Sequence, residues 1–181
     1  MSSGRVVAVA RDDEHRFSKP TRERIVLVAG HGVDGDAHAG ATVKHRSRIA
    51  RDAATPNLRQ VHLIHEELFA QMAPRGHGIS PGALGENITT AGIDLLGLPV
   101  GTRLALGDDA VVELTGLRNP CSQINGLSKG LMKELVFVDD QGETVRLAGV
   151  MSIVVAGGAV QPGDGIRVIL PAGEHRPLRA V

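Results

Sequence analysis

The chain has one cysteine, no tryptophan, no tyrosine and only three phenylalanines in 181 residues. A single cysteine excludes an intramolecular disulfide framework and a Cys-rich zinc site. Without aromatic platforms there is little on which single-stranded nucleic acid could stack. Lys plus Arg number 20 and Asp plus Glu also number 20, so no global field draws in nucleic acid or an anionic membrane. The first ten residues carry no hydrophobic signal region, and no apolar run is long enough to span a bilayer. These absences exclude a nucleic-acid role and a membrane role, and they point to a protein of the reducing cytoplasm.

What is abundant is Val, Leu, Ile and Ala, with 23 glycines and nine prolines. β-Branched residues favour pleated, half-buried surfaces, and the Gly and Pro content implies many tight turns. Short strands are predicted at Arg5–Ala10, Arg24–Ala29, Gln60–Ile64, Thr102–Leu106, Ala110–Leu117, Arg146–Ala156 and Ile166–Leu170. The pair 102–106 and 110–117 forms a hairpin around Gly107-Asp108-Asp109, and Val160 to Asp164 reads as a turn. Helices are expected at His65–Met72, with Leu68, Phe69 and Met72 on one face, and at Asn125–Val138. Ala41 to Pro56 is basic and has no clear period. The fold class is therefore mainly β, a closed or nearly closed barrel with one or two short helices. One domain spans 1–181, with its core at about 5–170 and a frayed tail at 171–181.

Three segments carry candidate chemistry. Cys121 lies in Leu117-Arg118-Asn119-Pro120-Cys121-Ser122-Gln123, where a strand ending near Arg118 puts the thiol at a barrel rim. Pro120 suits the first turn of a helix. A thiol between a helix start and the cationic Arg118 sits where a nucleophile or a soft metal ligand is useful. A lone cysteine can equally be a small buried hydrophobe, although the flanking Arg, Asn, Ser and Gln make no purely apolar pocket. The second segment is Asp34 to Gly40, followed by Lys44, His45, Arg46 and Arg48. Its glycines let backbone approach a ligand, and its cations would neutralise an oxyanion. Metal binding by Asp36, His38 and His45 is conceivable, but the spacing matches no standard zinc pattern, and such loops are often solvated turns. In the third, Gly82 to Thr90, Glu86 and Asn87 form a polar turn into a strand, or Asn87 lines a pocket. His62 is expected to face solvent or a neighbouring strand, and His65, His77 and His175 the surface.

The ordered set VDGDAHAG (33–40), RQVHLI (59–64), PGALGENITTAGIDLLGLPVGTRLALG (81–107), RNPC (118–121) and GGAVQPGD (157–164) resembles the MOSC family. That family is named after the C-terminal domain of molybdenum cofactor sulfurase. The resemblance implies a β-barrel in which Cys121 carries a persulfide or ligates the molybdenum of a pterin cofactor (molybdopterin). Cys121 is its key residue by this resemblance, and Arg118, the cation beside the thiol, is taken as catalytic with it. The resemblance further implies that Asp36 and His38, in their loop, and Lys44, His45, Arg46 and Arg48 line the cofactor pocket, the basic residues holding its phosphate, with Asn87 nearby. Three functions are compatible with it: a molybdenum-dependent reductase of N-hydroxylated compounds, a sulfur carrier or sulfurtransferase, and a non-catalytic module for a phosphorylated pterin-like ligand. The resemblance is to the barrel of that family, and to neither a PLP-dependent desulfurase domain nor an electron-entry module. A persulfide would therefore come from a partner desulfurase, and electrons from a separate donor protein.

Overall fold

The computed structural model describes residues 3–37, 39–40 and 57–181. Early in the chain come β1 (Ser3–Ala10), β2 (Thr21–Arg22), β3 (Ile25–Val28), β4 (Gly32–Val33) and β5 (Val61–His65). Helix α1 (Glu67–Met72) leads to β6 (Ile88–Ala91), β7 (Arg103–Leu106) and β8 (Ala110–Leu117). Two single-turn helices, α2 (Ile124–Leu127) and α3 (Leu131–Leu135), precede β9 (Val136–Val138) and β10 (Thr144–Arg146). The last strands are β11 (Val150–Ala156), β12 (Gly158–Val160) and β13 (Gly165–Ile169).

Seven strands close a barrel in the order β13-β7-β8-β11-β5-β6-β1, with β1 returning to β13 through Ser3 opposite Arg167 and Arg5 opposite Gly165. Closure removes the unpaired edges an open sheet would expose. The ladders are antiparallel except β5 with β6, where Leu63 lies opposite Ile88 and His65 opposite Thr90. Parallel neighbours need a long crossover, and α1 with the turn 80–87 supplies it. β8 shows why the sequence folds this way: it alternates buried and half-buried residues along its whole length, which turns Val112 and Leu114 inward. A small sheet, β12-β3-β4, packs beside the barrel.

Two cores result. Val61, Leu63, Ile88, Leu104, Val112 and Val150 belong to the barrel interior. Ile64, Leu68, Leu84, Ile124 and Leu135 form a second core between the barrel wall and the helices. β5 therefore has buried residues on both faces, and His62, two residues from Ile64, shares the outer one.

The structure corrects three expectations. The predicted helix 125–138 is two single turns, because Gly130 takes a left-handed φ of 81° between them, and its last three residues are strand. The predicted strand 146–156 is broken at Gly149, φ 89°, into β10 and β11. The tail is packed and not frayed. Leu178 is buried in the barrel core, Leu117 N donates to Arg179 O at 2.8 Å, and Val100 N to Arg176 O at 2.9 Å. The unused backbone groups of Val100 and Leu117 hold the chain end in place.

One glycine fixes the approach of two loops beside the candidate site. Gly82 has φ 83°, and a Cβ built on it would lie 2.1 Å from Lys19 O. The two loops lie backbone to backbone, with Lys19 N donating to Gly82 O at 2.8 Å. A left-handed backbone and overpacking against a carbonyl should make Gly82→Ala cost about 2–5 kcal/mol. Urea unfolding of the two proteins measures it, and a loss below about 1 kcal/mol would show that the contact yields easily.

Candidate functional site

Cys121 is exposed, four residues beyond the end of β8. Its Sγ lies 3.6 Å from Gln123 Oε1. Its carbonyl accepts from Ile124 N at 3.2 Å, which opens the turn into α2. The rim position follows the sequence reading, but the expected helix field does not: α2 has four residues, too few to sum an appreciable dipole. Among the described residues the positive charge beside the sulfur comes from side chains.

Arg118 is the main one. It is only 8% exposed, and its backbone N donates to Gly149 O at 3.0 Å. Nη1 donates to Leu84 O at 2.5 Å, and Cζ lies 5.5 Å from the Phe17 ring centroid, within cation–π range. The other guanidinium N–H groups have no partner among the described residues, yet none is sealed away from solvent. Burial lowers the Arg118 pKa, and the Cys121 and Glu86 side chains oppose that shift. Arg118 precedes Cys121 by three residues, in the loop that leaves β8. Nearer solvent, Arg146 Nε donates to Asn119 Oδ1 at 3.2 Å and ties the Cys121 loop to β10.

Behind Arg118 lies a buried polar network. Glu86 is fully buried; Oε1 accepts from Gly82 N at 2.6 Å and Oε2 from Leu84 N at 3.1 Å. Burial raises its pKa, against the pull of these N–H groups and of Arg118. Lys19 Nζ donates to Asp36 Oδ2 at 3.0 Å, with both side chains almost wholly out of water. Desolvation lowers the Lys19 pKa, opposed by Asp36 and Glu86. Asp36 Oδ1 accepts from Asp12 N at 3.0 Å. Asp12 is in turn gripped by Arg16, whose hydrogen bonds hold its carboxyl well below the usual range.

His62 completes the network, and of the two placements expected of it, solvent or a neighbouring strand, the first is wrong: it is 5% exposed. One ring nitrogen, Nε2, donates to Ala148 O at 2.7 Å, which fixes the neutral tautomer. Burial, then Arg118, drives its pKa well below 6.5. Of the three histidines placed on the surface by sequence, His175 is exposed and the other two are not. His77 is buried, and His65 half-buried, with Nδ1 lacking a hydrogen-bond partner.

Asn87 knits three strands together. Its Oδ1 accepts from His62 N at 3.1 Å and its Nδ2 donates to Ala10 O at 3.2 Å. Arg118, Glu86, Lys19, Asp36, His62 and Asn87 thus form one connected region beneath Cys121. Of the candidates named from the sequence, His38, Lys44, His45, Arg46 and Arg48, and the whole segment from Ala41 to Pro56, lie outside the described residues. Residues on either side of that segment meet, since Asn57 Nδ2 donates to Gly40 O at 3.0 Å.

Sequence reasoning misses Lys19, Glu86 and Phe17 as members of this region. Lys19 has no local signal, because its partner is seventeen residues away. For His62 a signal is present: Leu63 and Ile64 are adjacent apolar residues, and a strand apolar on both faces is buried on both.

The two depressed histidines carry a pH consequence. Below about pH 6.5 the unfolded chain protonates both, whereas the folded chain resists at His62 and, less strongly, at His65. The unfolded state then binds more protons, so stability falls as pH drops. The slope is up to about 1.4 kcal/mol per pH unit for each histidine, until its folded pKa is reached. Urea unfolding between pH 7.5 and 5 should show this decline, and His62→Gln should flatten it. An unchanged slope in the variant would contradict the assignment.

A closed seven-strand barrel with a rim thiol beside a buried arginine defines a class that comparison with known proteins makes specific. The MOSC domain family model matches residues 34–167, and the chain belongs to the MOSC family. That membership makes it a molybdenum-cofactor-related protein. In structure it is similar to the YuaD protein of Bacillus subtilis, with TM-score 0.74, 24% identity, 92% of this chain and 95% of that one covered. It is also similar to YiiM of Geobacillus stearothermophilus, TM-score 0.62, 18% identity, with coverage of 96% and 77%. YiiM of Escherichia coli gives TM-score 0.62 and 16% identity, covering 95% and 73%. These likenesses establish the fold. No curated protein matches the chain in sequence. Among the described residues no helix is long and apolar enough to cross a membrane.

Proposed function

We propose that the protein binds the molybdenum cofactor with Cys121 as a protein ligand to the metal, and that it reduces N-hydroxylated small molecules with electrons from a separate donor protein. The observation that carries this reading is an exposed thiol beside a buried arginine with unpartnered N–H groups, inside a MOSC barrel.

The residues present fit such a group. Among the described residues no three His, Cys, Asp or Glu side chains converge as a metal cage. A metal that arrives in an organic chelate brings its other ligands with it and needs no such cage. A thiolate is a soft ligand suited to that partner. When bound, the cofactor supplies two-electron redox chemistry at the metal.

The protein's own part is orientation and electrostatics. Cys121 offers sulfur from a loop anchored by Pro120, which is buried, and by the Asn119–Arg146 contact. Arg118, held over Phe17 and against Leu84 O, offers its remaining N–H groups to an oxyanion of cofactor or substrate. Lys19, Asp36 and Glu86 fix the loops that hold Arg118, so its position is set before any ligand arrives.

The test is metal and pterin analysis of protein made in a cofactor-competent host, followed by reduction assays with N-hydroxylated substrates and a reduced donor. The expected result is molybdenum and pterin near equimolar with protein. Protein that carries neither, even after incubation with released cofactor, sinks the proposal.

A second reading is favoured by the accessibility of Cys121, whose side-chain hydrogen bond among the described residues is the long one to Gln123. An open thiol can accept sulfane sulfur from a desulfurase and pass it on. Incubation with a desulfurase and cysteine would then add the mass of one sulfur to wild type and none to Cys121→Ser. A gain in both proteins rules this reading out.

A further inference from the structure

We propose that the cleft between the end of α1 and the turn joining α2 to α3 binds a phosphomonoester, at a site separate from Cys121. The cleft has a volume of about 580 Å³, in the range of small-molecule sites. Its charged walls are Arg75, Lys129 and Lys133 against a single carboxylate, Glu134. Glu134 is already held by Arg75, Nη1 to Oε2 at 2.5 Å. Lys129 and Lys133 have no ion-pair partner among the described residues, and both are exposed at the wall. The surplus of two positive charges is local, because the chain as a whole is neutral.

The floor of the cleft is built, not incidental. His77 is only 7% exposed, and its Nδ1 lies 2.7 Å from Ser128 Oγ. Its Nε2 has no partner among the described residues and is not closed off from solvent. With the serine hydroxyl donating to Nδ1, the ring proton sits on Nε2 and points to a ligand. With Nδ1–H donating to the serine, the hydroxyl hydrogen is released instead. Either tautomer leaves one donor of the pair for an acceptor in the cleft. A part-buried donor pair flanked by two ammonium groups with no ion-pair partner among the described residues suits a small, doubly charged oxyanion, and the remaining volume suits the organic part of a phosphate ester.

The cleft shares no residue with the Cys121 region, so the inference does not rest on the proposed cofactor chemistry. The test is isothermal titration of the full chain with inorganic phosphate, then with glycerol 3-phosphate, at low ionic strength. Wild type should bind both saturably at one site, and added chloride should weaken the binding. Each of Lys129→Ala and Lys133→Ala should weaken it about tenfold, as expected for a charge-assisted hydrogen bond. Ser128→Ala should weaken it with both lysines in place, and both lysines are exposed, so the lysine variants are expected to fold. Cys121→Ala should bind phosphate as wild type does. Wild type without saturable binding, or lysine variants that match it, would overturn the proposal. A Cys121→Ala protein that lost phosphate binding would overturn the claim of a separate site.

Discussion

Cys121→Ala protein is expected to fold and melt as wild type does while retaining no molybdenum above background. The two halves of that expectation have different physical origins. Cys121 is exposed and its side chain has one long contact, to Gln123 Oε1 at 3.6 Å. Removing it leaves no cavity and strands no buried group, so stability should change by less than about 0.5 kcal/mol. The metal has a harsher response. Among the described residues no three His, Cys, Asp or Glu side chains converge into a cage that could hold the metal in place of the sulfur. Loss of the thiolate should therefore remove retention outright, and any reduction of N-hydroxylated substrate with it. Thermal melts beside elemental analysis check both halves. A variant that keeps its metal contradicts the ligand assignment, and one that unfolds contradicts the exposed placement.

Lys19→Ala is expected to be the most destabilising of the site substitutions, at about 3–5 kcal/mol. The Asp36 carboxylate it neutralises is wholly out of water, and Glu86 nearby is fully buried as well. Removing the ammonium breaks a buried ion pair and leaves its carboxylate less well neutralised, and that costs more than the pair contributes. A domain of this kind has only about 5–15 kcal/mol in total, so the variant would be partly unfolded at moderate temperature. The double variant Lys19→Ala/Asp36→Ala should recover part of the loss, since neither charge is then stranded. Urea unfolding of the single and double variants tests this. Equal losses in the two would show that the effect lies in packing and not in charge.

The barrel is legible in sequence because its strands advertise themselves. β8 alternates over eight residues, and Gly107 to Asp109 mark the hairpin before it. The rim placement of Cys121 is legible from a strand ending just before Pro120. The helix break beyond it is not, because Gly130 interrupts a run that otherwise reads as continuous. The packed tail escapes sequence reading because one apolar residue, Leu178, and a few backbone hydrogen bonds hold it, and neither leaves a periodic trace. Arg118 can be read as a cation beside the thiol, but not as a buried one stacked on Phe17, a residue 101 positions earlier. Partners that distant, like Lys19 with Asp36 and Glu86 with Arg118, come together only through loop packing. That packing depends on glycines such as Gly82, which sequence patterns record merely as turns.

The central claim is that Cys121 is bonded to the metal. X-ray absorption at the molybdenum edge tests it on cofactor-loaded wild type and on the same cofactor released into solution. The account predicts one more molybdenum–sulfur contribution in the loaded protein than in the free cofactor. Identical sulfur contributions in the two would contradict it.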